Sequence, residues 1–230
     1  MSNSDFASKQ LNKIDIRIRE AISLYGREEN SVTLIGASKQ QHPDNIRAFA
    51  NAGLTNIGEN YLNEAGEKQN ELIDLSLNWH FIGKVQSNKS KLIANNFCMV
   101  HGVEKFKHAK RLSDAVLSNK RLKILIQVNI DREASKGGAL VEDVLDLCAQ
   151  ISDLENTQLC GFMLIPKARS DTDSQRVPFA HARSLLEQCN QTLDLKMTTL
   201  SMGMSNDLEA AIAEGSTMVR VGTALFGART

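Results

Sequence analysis

A single lysine follows the first apolar strand pattern of the chain, at a position suited to amine chemistry. Residues 32–39 read VTLIGASK, and the polar residues 40–43 open the loop behind them. Partial burial disfavours the protonated form of a lysine, and the neutral amine then forms a Schiff base with an aldehyde. Lys39 is therefore a candidate for covalent ligand binding. The alternative is a solvated charge at a strand end, which is common in short patterns.

Two glycine-containing segments near the C-terminus could bind a phosphate. Residues 201–205 read SMGMS and residues 219–224 read VRVGTA. Glycine lets the backbone approach a phosphate closely, and the hydroxyls of Ser201 and Thr223 can donate hydrogen bonds. The first segment follows the seventh predicted strand and the second ends the eighth, and barrels commonly bind phosphate in the loops after these two strands. The alternative is that Gly203 and Gly222 only form turns.

These groups together match one cofactor. Lys39 would hold an aldehyde carbon, the two loops would hold a phosphate, and Arg220 would point inward beside the second loop. Pyridoxal 5′-phosphate (PLP) carries an aldehyde and a phosphate, and a charged residue tunes the electronics of its pyridine nitrogen. PLP is therefore the predicted cofactor.

The elements that must position these residues follow a repeating strand–helix pattern. Apolar runs of strand length alternate with segments of helical periodicity, which is typical of βα units and a parallel sheet. The predicted strands lie near 32–38, 53–58, 78–83, 97–102, 122–129, 158–163, 196–201 and 217–222. The predicted helices lie near 5–25, 43–52, 60–72, 86–95, 104–118, 140–152, 177–192 and 205–214. Eight such units predict an α/β fold with a single closed (β/α)8 TIM barrel and an extra N-terminal helix, and the alternative is an open doubly wound sheet.

Short local signals support two of these helices. Pro43 suits the first helical turn, where its missing amide hydrogen is not needed. Asn206 with Glu209 three residues later fits a capping box, and Gly215 fits a C-terminal stop. No linker or composition break divides the chain, so we expect one domain over residues 1–230.

Composition argues against several classes of partner. Lys plus Arg and Asp plus Glu number 27 each, so no net charge attracts nucleic acid or an anionic membrane. The N-terminus lacks the pattern of a signal peptide, and no apolar window reaches the length of a membrane span. We expect a cytoplasmic protein. No metal or disulfide framework is expected from the scattered cysteines, Cys98, Cys148, Cys160 and Cys189.

The chain resembles the pyridoxal phosphate homeostasis protein family (YggS/PROSC type) over nearly its whole length. The resemblance rests on ASK at 37–39, IGENY at 57–61, WHFIG at 79–83, QSNK at 86–89, VNI at 128–130, EASK at 133–136, SMGMS at 201–205, DLE at 207–209 and RVGT at 220–223. It implies a barrel similar to the N-terminal domain of alanine racemase that carries one PLP. Small departures at 84–85 and 162–166 concern loop details.

The resemblance also implies roles for individual residues. Lys39 is implied as the Schiff-base lysine, and Arg220 as the partner of the pyridine nitrogen. The other implied cofactor-binding residues are Ser201, Gly222 and Thr223 at the phosphate, and Asn60 and His80 near the cofactor.

Two functions are consistent with such a site. Racemisation needs a second acid–base group on the opposite face of the substrate carbon, which alanine racemases supply as a tyrosine from an additional C-terminal domain. The sequence stops just after the eighth predicted strand, so we expect no such domain. Arg220, as a permanent donor, would also leave the pyridine nitrogen unprotonated, which weakens carbanion chemistry.

We therefore predict a carrier rather than an enzyme. It would hold PLP as a Schiff base, limit the free PLP concentration and pass the cofactor to apo-enzymes, and we expect it to be a monomer. The alternative is a PLP-dependent amino-acid racemase, with His80 or Tyr61 as candidate bases. His80 could instead be a hydrogen-bonded structural or cofactor-contact residue, and Tyr61 could simply lie next to a helix cap. Lys136 is a hypothetical second amine during cofactor transfer.

Overall fold

Eight parallel strands close into a barrel in a computed structural model that describes residues 2–117 and 120–227. Each strand pairs with the next along the chain, and the eighth pairs with the first. The predicted barrel is therefore confirmed, and the open sheet is wrong. The strands are β1 (Thr33–Ala37), β2 (Asn56–Glu59), β3 (Asn78–Phe81), β4 (Met99–Val103), β5 (Leu122–Val128), β6 (Thr157–Leu164), β7 (Thr199–Ser201) and β8 (Met218–Val221).

Helices follow the strands and form the outer layer. They are α1 (Asn3–Leu24), α2 (Pro43–Asn51), α3 (Leu62–Glu71), α4 (Ser90–Asn96), α5 (Phe106–Ala115), α6 (Val141–Ser152), α7 (Thr172–Leu193), α8 (Leu208–Ala213) and α9 (Thr223–Phe226). Two differences from the predicted ranges stand out, because α7 begins well before residue 177 and the short α9 was not predicted. The predicted end of the fifth helix at 118, and the ends of the expected domain at 1 and 228–230, lie outside the described residues.

The N-terminal helix α1 covers the seam where β8 meets β1. A capping box starts it, because the Asp5 amide donates to Ser2 Oγ at 3.1 Å and the Ser2 amide donates to Asp5 Oδ2 at 3.2 Å. The helix packs against α2, α8 and α9, the helices that flank these two strands. Phe49 of α2 and Phe226 of α9 meet edge to face beneath it, with ring centroids 4.7 Å apart.

The inside of the barrel is divided between an apolar layer and a polar layer. The apolar layer consists of Met99, Leu125, Cys160 and Met163, with Met218 packed against it. Alternate residues of a strand face the same side, so His101, Gln127 and Arg220 lie inward, two residues beyond Met99, Leu125 and Met218. The polar layer is therefore nearer the C-terminal mouth.

Two of the three local helix signals are confirmed. His42 caps α2 and Pro43 occupies its first turn, while Gly215, just after α8, has a φ of +95°. The capping box predicted from Asn206 and Glu209 is wrong. Asp207 is the N-cap of α8, and Glu209 instead accepts from Arg17 of α1 at 2.7 and 2.9 Å. The Glu209 carboxylate therefore forms an ion pair with α1 and does not make the capping contact that the local pattern predicts.

Candidate functional site

Lys39 lies at the C-terminal mouth, just after β1. Its side chain is half-buried, and Nζ lies 5.0 Å from the centroid of the Tyr61 ring. Tyr61 is the N-cap residue of α3 and is 52% exposed, so its ring forms part of the rim. An aromatic face attracts a cation through the quadrupole of the ring. The amine therefore rests against an aromatic surface at the mouth and is not surrounded only by solvent.

A buried ion-pair cluster holds the turn that carries Lys39. Lys68 Nζ, on α3, donates to Glu59 Oε1 at 2.7 Å, to Glu64 Oε1 at 2.6 Å and to the Ser38 carbonyl oxygen at 2.6 Å. The Ser38 hydroxyl donates to the same oxygen of Glu59. Burial raises the pKa of Glu59, and hydrogen bonds from Lys68 and Ser38 oppose this effect. The cluster therefore links the end of β2, helix α3 and the peptide bond that precedes Lys39.

A chain of hydrogen bonds crosses the interior of the barrel. Arg220 Nη1 donates to Ser201 Oγ at 2.7 Å, and Ser201 Oγ lies 2.9 Å from His101 Nδ1. His101 Nε2 lies 3.1 Å from His80 Nδ1, and His80 Nε2 lies 3.2 Å from Asn56 Oδ1. His80, Ser201 and Arg220 were all predicted as site residues, and the structure joins them through His101.

The two ends of this chain fix the proton on every group between them. Arginine can only donate, so the Ser201 hydroxyl accepts from Arg220 and donates to His101 Nδ1. His101 then carries its proton on Nε2 and donates to His80 Nδ1, and His80 donates from Nε2 to Asn56. In the reverse direction the buried Ser201 hydroxyl would have no acceptor among the described residues. Both histidines are therefore neutral Nε2–H tautomers.

Burial keeps both histidines neutral. It lowers the pKa of His80 to about 4, with a smaller contribution from the positive charge of Lys123. Burial also holds the pKa of His101 well below its usual range, assisted by His80 and Arg220. Neither histidine therefore carries a charge at neutral pH.

Arg220 is buried but keeps donors available for a ligand. Its Nη1 donates to the Ser201 carbonyl oxygen at 2.6 Å as well as to the hydroxyl, and its Nη2 donates to the Leu164 carbonyl oxygen at 2.8 Å. These contacts use three of the five N–H donors of a guanidinium. Burial lowers the pKa of Arg220 to about 10, and nearby Asp207 opposes this, so the side chain remains charged at neutral pH.

The second glycine loop lies beside the strand that leads to Lys39. A Cβ atom on Gly222 would be 3.3 Å from the carbonyl oxygen of Ala37, the last residue of β1. Thr223 is exposed and begins α9, and within the described chain no side chain caps this helix. The first amide groups of α9 therefore have no side-chain acceptor among the described residues, and the Thr223 hydroxyl lies beside them. Gly222 and Thr223 can form part of an anion cradle next to Lys39.

Ser201 has a different environment from Thr223. Its side chain is fully buried, and its hydroxyl is already engaged by Arg220 and His101. Its role as a phosphate contact stays a prediction, while its observed contacts hold Arg220 in place. Gly203 in the same loop has a φ of +94°, and a Cβ atom there would lie 2.6 Å from the Cβ atom of Ala211 in α8.

Asn60 follows β2, which flanks β1 on the side away from β8, and it lies between Glu59 and Tyr61. It is half-buried and lines a cavity of about 220 Å³ together with Tyr61, Lys84 and Lys89. A Cβ atom on Gly83 would lie only 2.1 Å from the Asn60 carbonyl oxygen. Glycine at position 83 therefore lets the loop after β3 approach the loop that carries Asn60, whose role as a cofactor contact stays a prediction.

Lys136 lies in a loop that is tied to the barrel. Its Nζ donates to the Pro166 carbonyl oxygen at 2.8 Å and lies 3.1 Å from Glu133 Oε2. Asn129 Nδ2 and Gln127 Nε2 bind backbone carbonyls of the same loop, at Glu133 and Gly137. The Lys136 amine would therefore have to break these contacts before it could act as a second amine in cofactor transfer.

Several residues of this site, Asn56 and Glu64 among them, had no predicted role, and three of these are central to its hydrogen bonds. They are His101, Glu59 and Lys68. Strand alternation could have placed His101 inward, two residues after Met99. No sequence signal pairs Glu59 with Lys68, because one ends a strand and the other lies inside the following helix.

Comparison with known proteins places the chain among relatives that match it over nearly the full length. It matches the family model described as alanine racemase, N-terminal domain, over residues 39–230. A protein named pyridoxal phosphate homeostasis protein, from Pseudomonas aeruginosa, is 47% identical over 223 residues, which are 96% of this chain and 95% of that protein.

Solved structures with a similar fold include one with moderate and one with low sequence identity to this chain. PipY of Synechococcus elongatus, solved with PLP bound, has a TM-score of 0.81 at 36% identity and covers 91% of this chain and 100% of its own. An alanine racemase of Clostridium difficile has a TM-score of 0.72 at 14% identity, over 97% of this chain and 58% of its own. The second likeness shows a shared fold alone.

Proposed function

This chain belongs to the pyridoxal phosphate homeostasis protein family, and we propose on that premise that it binds PLP and holds it as a Schiff base on Lys39. The observation that carries the proposal is the position of the complementary groups on neighbouring strands. Lys39 follows β1, while Arg220, Gly222 and Thr223 lie in and after β8, and the two strands pair with Ile35 opposite Arg220. An amine, a cation and an anion cradle therefore share one mouth.

The chemistry of these groups fits PLP. The cofactor supplies an aldehyde that condenses with a neutral amine, so a C=N bond replaces the C=O bond and the oxygen leaves as water with both amine hydrogens. Gly222 and Thr223 offer amide groups and a hydroxyl for a phosphate. Arg220 offers unused N–H donors to a pyridine nitrogen. Asn60 and Tyr61 would border the ring side of the site.

We propose a carrier or homeostasis function rather than catalysis. Arg220 has a pKa of about 10 and stays charged, so it donates to the pyridine nitrogen without protonating it. An unprotonated nitrogen is a weak electron sink, which favours holding the aldehyde over stabilising a carbanion. The likeness to alanine racemase rests on the fold and adds no support for racemisation.

The first experiment tests covalent binding. Purified wild type and Lys39→Ala would be incubated with PLP, followed by visible absorbance, borohydride reduction and mass mapping of the adduct. We expect a visible band in the wild type, its loss in the variant, and an adduct on Lys39. A wild type that acquires no band and no adduct would contradict the proposal.

A second experiment separates a carrier from a racemase. The PLP-loaded protein would be incubated with single L-amino acids, and D-enantiomers would be measured by chiral chromatography. We expect no Lys39-dependent turnover, and a clear turnover would overturn the carrier function.

Delivery to other proteins and the quaternary state belong to the same proposal. We propose that the protein passes PLP to apo-enzymes in the cytoplasm and acts as a monomer. No helix among residues 2–117 and 120–227 is both long and apolar enough to span a lipid bilayer. Recovery of activity by an apo-enzyme mixed with the loaded protein would test delivery, and light scattering would test the monomer.

A further inference from the structure

Lys68 uses all three of its N–H donors close to Lys39 without touching the Lys39 side chain. Lys68 lies on α3 and is 3% exposed, and its acceptors are Ser38, Glu59 and Glu64 at 2.6 to 2.7 Å. An ammonium group has three donors, so Lys68 has none left for a ligand. Its contacts serve the protein itself.

These contacts reach the backbone on both sides of Lys39. The Ser38 carbonyl belongs to the peptide group that precedes Lys39, and Lys68 binds it directly. The Gln40 amide belongs to the peptide group that follows Lys39, and it donates to Glu64 Oε1, the oxygen that also accepts from Lys68. One buried ammonium therefore fixes both flanking peptide groups.

The turn that is fixed in this way is one the chain would not readily keep by itself. Gln40 has a φ of +62°, a left-handed conformation that residues other than glycine adopt only when their surroundings impose it. The bond to Glu64 holds the Gln40 amide, and the bond from Ser38 to the buried Glu59 holds the other side. Without these contacts the turn could relax and change the direction of Lys39.

Stability alone does not account for such a cluster. Desolvation of a buried ion pair offsets most of its attraction, and apolar residues of similar volume often stabilise a core as well or better. Glu59 also leaves its Oε2 atom buried with no hydrogen-bond partner among the described residues. Burying these charges costs free energy, while their hydrogen bonds hold the backbone around Lys39. We therefore explain the cluster by the geometry that it gives to this backbone.

We propose that Lys68 is a positioning residue, and that it, together with Glu59 and Glu64, holds the Lys39 amine in the direction needed to attack an aldehyde. This inference rests on the proposed PLP binding by Lys39. It makes a specific distinction: the cluster controls the covalent step at Lys39, whereas Arg220, Gly222 and Thr223 control non-covalent binding of the ring and phosphate.

The test compares a ligand that can form the covalent bond with one that cannot. PLP carries an aldehyde, and pyridoxine 5′-phosphate carries an alcohol in its place. Removing both buried charges together, in Lys68→Met/Glu59→Gln, avoids an unpaired buried charge. Glu64→Gln is a milder variant, because the Glu64 side chain is partly exposed. Lys110→Met is the matched control, since it removes a lysine from the exposed ion pair with Asp114.

We expect the double variant to capture PLP at least about tenfold more slowly, as judged by the visible band and by borohydride-trapped Lys39, because a charge-assisted bond is worth about that factor. Its affinity for pyridoxine 5′-phosphate should stay within about twofold of the wild type. Glu64→Gln should show the same selective effect, smaller in size, and Lys110→Met should show none. If the double variant does not fold, Glu64→Gln carries the test.

Two outcomes would overturn the inference. One is capture of PLP at the wild-type rate by the variants. The other is an equal loss for both ligands, which would mean that the cluster supports the whole site and not the amine in particular. Failure of the proposed function gives a different result, because the wild type itself would then form no adduct on Lys39.

Discussion

Arg220 donates to the hydroxyl of Ser201 over 2.7 Å, and this bond joins a buried cation to a chain of neutral side chains that ends at Asn56. Ser201 therefore contributes to the orientation of Arg220. The family resemblance implies a different role for Ser201, as a phosphate contact. The two roles predict different behaviour toward ligands with and without a phosphate.

We predict that Ser201→Ala weakens binding of PLP and of pyridoxal by similar factors, because the variant disturbs Arg220, which in the proposed site would contact the pyridine ring of both ligands. Thr223→Ala should weaken binding of PLP about tenfold and leave pyridoxal binding nearly unchanged, because it removes a hydroxyl from the proposed phosphate cradle. Equilibrium titration by absorbance gives both values. A selective loss of PLP binding in Ser201→Ala would instead establish Ser201 as a phosphate contact.

Replacing His101 by leucine should destabilise the fold. The Ser201 hydroxyl and His80 Nδ1 would both lose their partner in a buried place, and each unsatisfied group costs about 1–3 kcal/mol. We expect the free energy of unfolding to fall by about 3 kcal/mol in urea titration. His181→Leu, at an exposed position on α7, is the control and should change it by less than about 0.5 kcal/mol. If the free energy of unfolding of His101→Leu falls as little as that of the control, the hydrogen-bonded chain through His101 adds no stability.

Stability should fall on mild acidification because of His80. Its pKa in the folded protein is about 4, below the usual 6.5, so the unfolded state takes up the proton first. The stabilisation is complete above pH 6.5 and is lost as the pH falls toward 4, with about 2 kcal/mol lost by pH 5. Glu59, whose pKa is raised, acts in the opposite direction.

The contribution of His80 can be separated from that of other groups by difference. Unfolding free energies at pH 7 and pH 5 would be measured for the wild type and for His80→Gln, which does not titrate. The wild type should lose more stability over this interval than the variant. Equal losses would show that His80 is not responsible for the acid sensitivity.

Two glycine-to-alanine substitutions should affect different properties, the PLP affinity at Gly222 and the stability of the fold at Gly66. At Gly222 an added methyl group would sit 3.3 Å from the Ala37 carbonyl oxygen and fill part of the proposed phosphate cradle, so we expect PLP affinity to fall about tenfold. At Gly66, inside α3, an added methyl group would have no atom within 4 Å beyond its chain neighbours and the local helix backbone, so the variant should gain about 0.5–1 kcal/mol of stability and keep its PLP affinity. PLP titration and thermal unfolding of both variants check this. Unchanged PLP affinity in Gly222→Ala would remove Gly222 from the cradle.

The barrel itself could be predicted from the sequence, because its strands are apolar runs separated by helical periodicity. What escaped prediction depends on contacts between distant residues. Glu209 fits a local capping pattern, but Arg17, far away in the sequence, binds its carboxylate instead. The four-residue α9 is too short to show a period.

The sequence predicts the groups that would contact a ligand better than it predicts the residues that hold those groups in place. Lys39 and the glycine loops have recognisable sequence contexts at strand ends. The link from His101 to Ser201 spans 100 residues, and the pairing of Lys68 with Glu59 buries charges that a sequence pattern assigns to the surface. The barrel brings His101 and Ser201 together, whereas the packing of α3 against β2 brings Lys68 to Glu59.

Because every link from Arg220 to Asn56 donates in the same direction, the interior of the barrel carries a built-in electrical polarisation. The bond dipoles add along the chain and present their negative end to the guanidinium, which stabilises a cation far from solvent. No single hydrogen bond can be reversed alone, because a neighbouring contact would then bring two donors or two acceptors face to face. The hydrogen-bonded chain therefore behaves as one unit, and a change at Asn56, at the start of β2, would alter the charge balance around Arg220.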